Sequence, residues 1–426
     1  MPANPSHRRS RASAPAAGRA LQLFKTWFWS PPRPHGETIA DRRVSPLELL
    51  YDLIYAAVIA QAGLRLAGDV SARALLDFAL VFSLTWIAWT NGSLYLELHG
   101  RDNGRTRGFV FLQIGILTIL AVYAADAGAG GGSAFAIAYA AFLAVITWLW
   151  YDVRRQDVSA GRQEYLTDAG RYVVTMAVSI VVILISAFLP PDLRLVAWAI
   201  YTIAWIVLLA VLERVGVGMR RALVPTDSLV DRFGTFTLIV LGEVVFGVVD
   251  GLSRTQRDFT SISSGMIALV VGFGFWWLYF DVVGGRLPKH DGDSLTTWIL
   301  GHYPITLSIA AAGAGMVSLL EHAHDASTPS LTAWLLSGAV AVGLVFLIPT
   351  SRALADAGRL AAAYRPLWIA MAVGAVASLI IGWAGPAPWL LALLLVLVLG
   401  MVWAIAVRGF VLAGAWAEEG RAGRLE

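Results

Sequence analysis

Long apolar runs, separated by short polar segments, dominate the pattern along this chain. A hydrocarbon core about 30 Å thick needs roughly 20 apolar residues in a helix. Twelve stretches come close to this length, so the pattern predicts twelve membrane-spanning helices. Their approximate bounds are 44–66, 75–96, 109–124, 134–151, 172–189, 195–213, 233–249, 262–283, 298–320, 331–349, 366–384 and 388–412.

Composition and charge support the membrane class. Apolar residues make up 58% of the chain and charged residues 14%, against about 25% charged in soluble domains. The absence of cysteine excludes disulfides, cysteine-based zinc sites and thiol catalysis. The net charge of +3 does not indicate nucleic-acid binding, because the basic residues are spread over many short loops. We expect an all-α polytopic membrane protein that binds no nucleic acid.

The Lys and Arg residues favour alternate loops. With the N-terminus inside and twelve crossings, the loops on the outside hold only Arg65, Arg73, Arg194, Arg254 and Arg257 of the 32 basic residues. Cytoplasmic loops of membrane proteins carry such an excess of positive charge. We therefore predict that both termini are cytoplasmic.

The first and last segments differ from the apolar remainder. We interpret residues 1–43 as a basic, disordered cytoplasmic tail with an interfacial helix near 21–29, because Leu21, Phe24, Trp27 and Phe28 recur at helical spacing. Residues 44–213 and 214–412 are predicted to form two six-helix repeats, and 413–426 a cytoplasmic C-terminal tail.

Matched polar residues are the sequence evidence for this repeat. Ser45 and Glu48 open the first span, and Ser228 and Asp231 open the seventh at the same spacing. Deeper polar residues follow in both halves, namely Gln61 and Gln113 in the first, and Glu243 and His302 in the second. Six spans per half give both halves the same orientation, which predicts parallel repeats about an axis along the membrane normal.

Two acids near the start of the first span are candidate site residues. Glu48 and Asp52 are four residues apart and share one helix face. Glu48 also fits a capping box with Ser45, with Pro46 at the first helical position. Asp52 lies a turn deeper, where a charge costs on the order of 2.5–3.5 kcal/mol unless it faces protein or water. It is either functional or a buried hydrogen-bonding group.

Glu243 is the strongest candidate. It lies in an apolar run with no basic residue within ten positions on either side. An ionisable residue inside the membrane indicates function by default, although a protonated structural glutamic acid is the alternative. Asp231, Asp281 and His302 are weaker candidates. The alternative for Asp231 is an ion-paired or capping residue. For Asp281 it is a solvated acid, and for His302 an interfacial histidine.

Several of these motifs resemble those of the bacterial low temperature requirement A family. They are the segment from Ser45 to Tyr55, Asp231-Arg232-Phe233-Gly234, Leu241-Gly242-Glu243, Trp277-Leu278-Tyr279-Phe280-Asp281 and His302-Tyr303-Pro304. The resemblance implies a polytopic protein of the bacterial inner membrane and supplies no molecular activity. The chain departs from the family pattern at residues 98–102, where an acidic run is usual, and at Asp231 and Val244.

The leading hypothesis is a transporter or ion-translocating protein of unknown substrate. Glu243 would bind a proton or cation, and Asp52, Glu48 and Asp231 would line the cytoplasmic side of its path. The other candidates for this path are Asp281, His302, Gln61 and Gln113. The alternative is a sensor, scaffold or lipid-acting protein of envelope cold adaptation. We expect no catalytic activity and no cofactor. The expected partners are the lipid bilayer, a proton or cation and an unidentified small molecule.

Overall fold

A computed structural model describes residues 16–37, 42, 44–214 and 224–414. Thirteen helices account for most of these residues. They are α1 (Ala16–Phe28), α2 (Pro46–Gly68), α3 (Ala72–His99), α4 (Gly104–Ala124), α5 (Gly132–Ser159), α6 (Gln163–Ser186), α7 (Pro191–Arg214), α8 (Asp227–Arg254), α9 (Phe259–Val282), α10 (Gly292–Glu321), α11 (Ser330–Arg352), α12 (Ala361–Ala384) and α13 (Pro388–Leu412).

The helices α2 to α13 are long and apolar enough to cross a membrane. The prediction of an all-α polytopic membrane protein with twelve spans is therefore confirmed. Successive helices run in alternate directions, so the loops gather at two faces of the molecule. The face at which α2 begins is called the N-terminal face below, and the other is called the opposite face.

Several helices begin earlier than the apolar pattern predicts. The side chain of Asn103 accepts the backbone N–H of Thr106 at 2.9 Å and caps α4, and Asp291 caps α10 in the same way through Ser294 at 2.8 Å. Such caps satisfy backbone donors that the first helical turn leaves unpaired. Polar residues therefore extend these helices by about a turn or more beyond the hydrophobic stretch.

The helices α10 and α3 form the centre of the molecule. Most of the apolar part of each is buried inside the protein, whereas α4, α12 and α13 are largely exposed. Along α10, the run from Ala310 to Gly315 consists of alanine and glycine, which let neighbouring helices approach closely. The helix packs against α8 and α11 of its own half and against α2, α3 and α7 of the other half.

The two halves have similar helix neighbours. In the first half α2 contacts α3 and α4, α4 contacts α5, and α3 contacts α7; in the second half α8 contacts α9 and α10, α10 contacts α11, and α9 contacts α13. The interface between the halves is less regular, because α10 packs deeply across it while its counterpart α4 packs mainly on α1, α2 and α5. The two-repeat arrangement stays a prediction.

The caps also differ from the register proposed for the repeat. Ser45 caps α2 and exchanges hydrogen bonds with Glu48, as the capping box predicts. In the second half Thr226, rather than Ser228, caps α8 by accepting from the backbone N–H of Leu229 at 3.1 Å. Ser228 is free to bond elsewhere, since it follows the cap by two residues.

The N-terminal segment is more ordered than a disordered tail. The helix α1 begins at Ala16 rather than near residue 21, and it packs on α4 at the N-terminal face. Beyond it, Arg33 and His35 are buried, and the His35 ring pairs with Asp157 of α5 at 2.7 Å. Within the predicted tails, residues 1–15, 38–41, 43 and 415–426 lie outside the described residues.

Candidate functional site

A fully buried arginine, Arg232 of α8, lies in an ion network near the N-terminal face. Its Nη1 donates to Glu48 Oε2 at 2.7 Å, and its Nη2 donates to Asp52 Oδ1 at 3.2 Å. Glu48 and Asp52 are one helical turn apart, so both carboxylates reach the same side of α2. The network therefore joins the first helix of one half to the first helix of the other.

Asp52 is completely buried, and its two oxygens differ in their surroundings. Oδ1 accepts from Trp89 Nε1 of α3 at 2.8 Å in addition to Arg232. Oδ2 has no hydrogen-bond partner among the described residues, and neither has Nε of Arg232. A buried polar atom without a partner costs free energy. Asp52 is thus the member of the network with an oxygen left to accept a proton or a cation.

A second arginine, Arg42, forms the outer layer of the network. Its guanidinium donates to Glu48 Oε2 at 2.9 Å and also contacts Glu97 and Ser228. Glu97, near the end of α3, accepts from the hydroxyl of Thr226 at 2.8 Å and from that of Ser228 at 3.0 Å. The two arginines and three carboxylates carry a net charge of −1 when all are ionised.

A polar cavity of about 290 Å³ opens at the N-terminal face beside this outer layer. Arg33, Glu37, Arg42 and Glu97 contribute to its lining. Nη2 of Arg33 donates to the backbone oxygen of Glu97 at 2.6 Å. Burial, together with the nearby charge of Arg42, lowers the pKa of Arg33 from its ordinary value. The cavity gives small polar molecules access to the outer side of the network.

Aromatic rings border the network between α3, α8 and α10. The Trp89 ring stacks on Phe236 with centroids 4.0 Å apart, and Phe233 lies 4.8 Å from Trp298. His302 lies 4.9 Å from Phe233 and is buried, with Nδ1 bonded to the backbone oxygen of Trp298 at 2.6 Å. Its Nε2 forms a 2.9 Å hydrogen bond with the hydroxyl of the buried Tyr279. Both ring nitrogens are satisfied, and neither bonds to the charged groups.

Gln113 of α4 belongs to the surroundings of the same network. Its Oε1 accepts from the Tyr51 hydroxyl at 2.7 Å, and that hydroxyl accepts from Tyr55 at 2.8 Å. The guanidinium of Arg232 lies 5.8 Å from the centre of the Tyr51 ring, within the range of a cation–π interaction. The tyrosine thus connects Gln113 to the buried arginine.

Glu243 lies apart from this network, in a cavity of about 330 Å³ between α2, α8 and α10. At about 1.5 Å per residue it is about 16 Å along α8 from Arg232 and about 16 Å from Arg254 at the other end. Its side chain makes no hydrogen bond or ion pair with any described residue. Asp250, two turns further on, lines the same cavity and pairs with Arg254 at 2.6 Å.

A very close helix crossing fixes the position of Glu243. A Cβ atom added to Gly247 would lie 2.0 Å from the backbone oxygen of Gly313, and one added to Gly313 would lie 2.6 Å from that of Glu243. The two glycines therefore let the backbones of α8 and α10 touch. The crossing places the backbone of Glu243 at the contact between these two helices.

The comparison with known proteins agrees with the motifs. The sequence profile described as "Bacterial low temperature requirement A protein (LtrA)" matches residues 43–406. The chain belongs to this family. An uncharacterized protein of Rhizobium meliloti (strain 1021) is 22% identical over 330 residues, which cover 71% of this chain and 76% of that protein. No solved structure gives a significant match.

The remaining candidate residues of this LtrA-family protein are scattered. Asp231 is exposed, although Arg232 beside it is buried. Asp281 lies in the second half and accepts from Trp403 Nε1 at 2.7 Å. Gln61 is exposed on α2 and does not line the cavity of Glu243. The structure thus brings Glu48, Asp52 and Gln113 together. It places Glu243, Asp231, Asp281 and Gln61 elsewhere.

The sequence reasoning missed several residues of the LtrA-family ion network. It weighed Asp231 as a site residue, and it did not place Arg232, Arg42, Glu97 or Trp89 among the candidate site residues. The signal for Arg232 was present, because an arginine within a helix that continues into an apolar run needs a buried partner. Arg42 and Glu97 gave no comparable signal, since both lie at the ends of predicted spans.

Proposed function

We propose that this protein is a transporter or ion-translocating protein and that Glu243 is its proton- or cation-binding group. The observation that carries the proposal is the Glu243 carboxylate, which has no partner among the described residues. It lies near the middle of a membrane-spanning helix, in a cavity between helices of both halves. A charge at this depth is costly unless it meets a cation, a proton or water. Substrate sites of transporters commonly lie at such a depth between their two halves.

The ion network is the proposed barrier on the N-terminal side of this site. Arg232 with Glu48 and Asp52 ties α8 to α2, and Arg42 ties both to the end of α3. For Glu243 to be reached from the N-terminal face, these helices would have to separate and break the ion pairs. The unpartnered oxygen of Asp52 supports a role in that step, because its protonation would weaken the pairing with Arg232.

The experiment is a measurement of ion currents. The purified protein is reconstituted in liposomes on a solid-supported membrane, and steps of proton, sodium and potassium concentration are applied. We expect a current in the wild type that Glu243→Gln abolishes and that Asp325→Asn, a change in an exposed loop on the opposite face, leaves unchanged. Full current in a well-folded Glu243→Gln variant would refute the assignment of Glu243.

A second proposal is a sensor, scaffold or lipid-acting protein of envelope cold adaptation. It is supported by the apolar side chains that α1 exposes, with Leu21, Leu23 and Phe24 each more than half exposed. Apolar groups on a basic helix suit a membrane surface. This function predicts lipid binding that survives Glu243→Gln and is lost in Phe24→Glu. Unchanged binding of anionic vesicles by Phe24→Glu would count against it.

We further propose that the protein resides in the bacterial inner membrane with both termini cytoplasmic. The excess of basic residues at the N-terminal face supports this orientation. We propose transport rather than catalysis, because Glu243 makes no hydrogen bond with a nucleophile or base in the part of the chain that the structure describes.

A further inference from the structure

The cavity around Glu243 has mostly apolar walls. On the side of α2 it is lined by Ile59, Ala60, Gly63, Leu64 and Ala67, and on the side of α10 by Ala310, Gly313, Ala314 and Val317. Small residues dominate both walls, and they leave the space that larger side chains would fill. The volume of about 330 Å³ lies within the range of small-molecule sites.

Among the described residues, the charge of the cavity comes from α8. Glu243 and Asp250 are the charged residues of the described lining, and Ser253 adds a hydroxyl. Arg254 neutralises Asp250, whereas Glu243 has no partner among the described residues. The cavity therefore presents one uncompensated acid within an apolar surface. A ligand that matches it carries one positive charge and an apolar body.

Exposed apolar side chains form the rim of the cavity. Leu64, Phe246 and Val249 are 45%, 68% and 59% exposed, and they lie on α2 and α8, which are long and apolar enough to cross a membrane. A molecule that partitions into the membrane can therefore reach Glu243 from the side. The Phe246 ring, one turn from Glu243, adds a surface that attracts cations through its π-electrons.

An inorganic cation fits this lining less well. Hard metal ions are held by several oxygen atoms at once. The described walls contributed by α2 and α10 carry no oxygen-bearing side chain, and Asp250 lies about 10 Å from Glu243 along α8. An organic ammonium ion needs fewer oxygen ligands, because its own carbon substituents contact the apolar walls.

We propose that this cavity binds an amphipathic organic monocation, with its cationic head at Glu243 and its apolar body between α2, Phe246 and α10. The proposal rests on the proposed function in that it takes Glu243 as the binding group for the transported species. It names the substrate class as lipophilic ammonium compounds that enter from the membrane.

The test compares two molecules of the same shape and different charge. Radiolabelled benzyltrimethylammonium is bound to the purified full-length protein, and neopentylbenzene, which replaces the nitrogen with carbon, is used as the neutral competitor. We expect saturable binding of the cation, no competition by the neutral compound, and at least a tenfold loss of affinity in Glu243→Gln. Glu243→Asp should retain part of the affinity, and Asp325→Asn should retain all of it.

A second variant tests the walls independently of the charge. A Cβ atom on Gly63 would have Ala314 as its nearest neighbour at 3.9 Å, so Gly63→Leu can fold while it fills the cavity. We expect this variant to lose binding of the cation although Glu243 is intact. Equal binding of the neutral compound, unchanged affinity in Glu243→Gln, or no binding by the wild type would each overturn the proposal.

These outcomes are separable from the test of ion translocation. Currents that require Glu243, without binding of benzyltrimethylammonium, would overturn the organic-cation site and leave the proposed ion translocation standing. Binding that requires Glu243, without any current or uptake of the labelled cation in liposomes, would uphold the site and refute transport.

Discussion

Replacement of the buried Arg232 should destabilise the protein far more than replacement of Asp52, one of the two acids with which it pairs. Arg232 is fully buried and lies within bonding distance of two carboxylates, Glu48 at 2.7 Å and Asp52 at 3.2 Å. In Arg232→Gln, Asp52 keeps the indole N–H of Trp89 as a donor, and the glutamine amide offers an uncharged N–H in place of the guanidinium. A buried carboxylate then remains without a cationic partner.

The charge of the network sets the size of each effect. The net charge is −1 in the wild type, becomes −2 in Arg232→Gln and falls to zero in Asp52→Asn. Breaking a buried pair by removal of one partner typically costs about 3–5 kcal/mol, and we expect this cost for Arg232→Gln. Asp52→Asn should cost about 1 kcal/mol, because Arg232 keeps Glu48 and the asparagine still accepts from Trp89.

The double variant separates the lost pairing from other effects. In Arg232→Gln with Asp52→Asn the buried Asp52 carboxylate is gone and the net charge of the network returns from −2 to −1, so the double variant should be more stable than the single arginine variant. The coupling energy of such contacting pairs is about 0.5–3 kcal/mol. The free energy of unfolding is measured by reversible SDS denaturation in mixed micelles, followed by tryptophan fluorescence.

Three outcomes would refute this reasoning. If Arg232→Gln cost less than about 1 kcal/mol, the arginine would not hold the network together as the distances indicate. If Asp52→Asn cost as much as Arg232→Gln, the net negative charge of the network would not govern its stability. A double variant less stable than both single variants would also contradict the charge argument.

Two further predictions concern the helix crossing and the orientation. Gly313→Ala places a Cβ 2.6 Å from the backbone oxygen of Glu243 and should cost about 1–3 kcal/mol in the same assay. Gly338→Ala, with no atom within 4 Å of its Cβ, is the matched control, and an equal cost in both would contradict the close crossing. Because the chain has no cysteine, Ser159→Cys and Ser327→Cys each introduce a single thiol. A membrane-impermeant maleimide should label Ser327→Cys in intact cells and Ser159→Cys only after permeabilisation, and the reverse would invert the orientation.

The sequence determined the fold class and the family by itself. Apolar runs of membrane length predicted all twelve spans, and the Ser45 capping box predicted where α2 begins. Hydropathy and capping depend on residues within one helix or one turn. A short stretch of sequence is therefore enough to predict them. The isolated position of Glu243 in an apolar run was also evident from the sequence, because no basic residue lies within ten positions of it.

Only the tertiary structure decided which charges meet. Arg232 and Asp52 are 180 positions apart, and their pairing depends on how α2, α3 and α8 pack together. Helical spacing shows which side of a helix a residue is on and leaves open which helix faces that side. For the same reason the sequence analysis took the exposed Asp231 as a candidate site residue and gave the buried Arg232 no role in the site. That α2 and α10 bring no described partner to Glu243 likewise became evident only from the packing of these helices beside it.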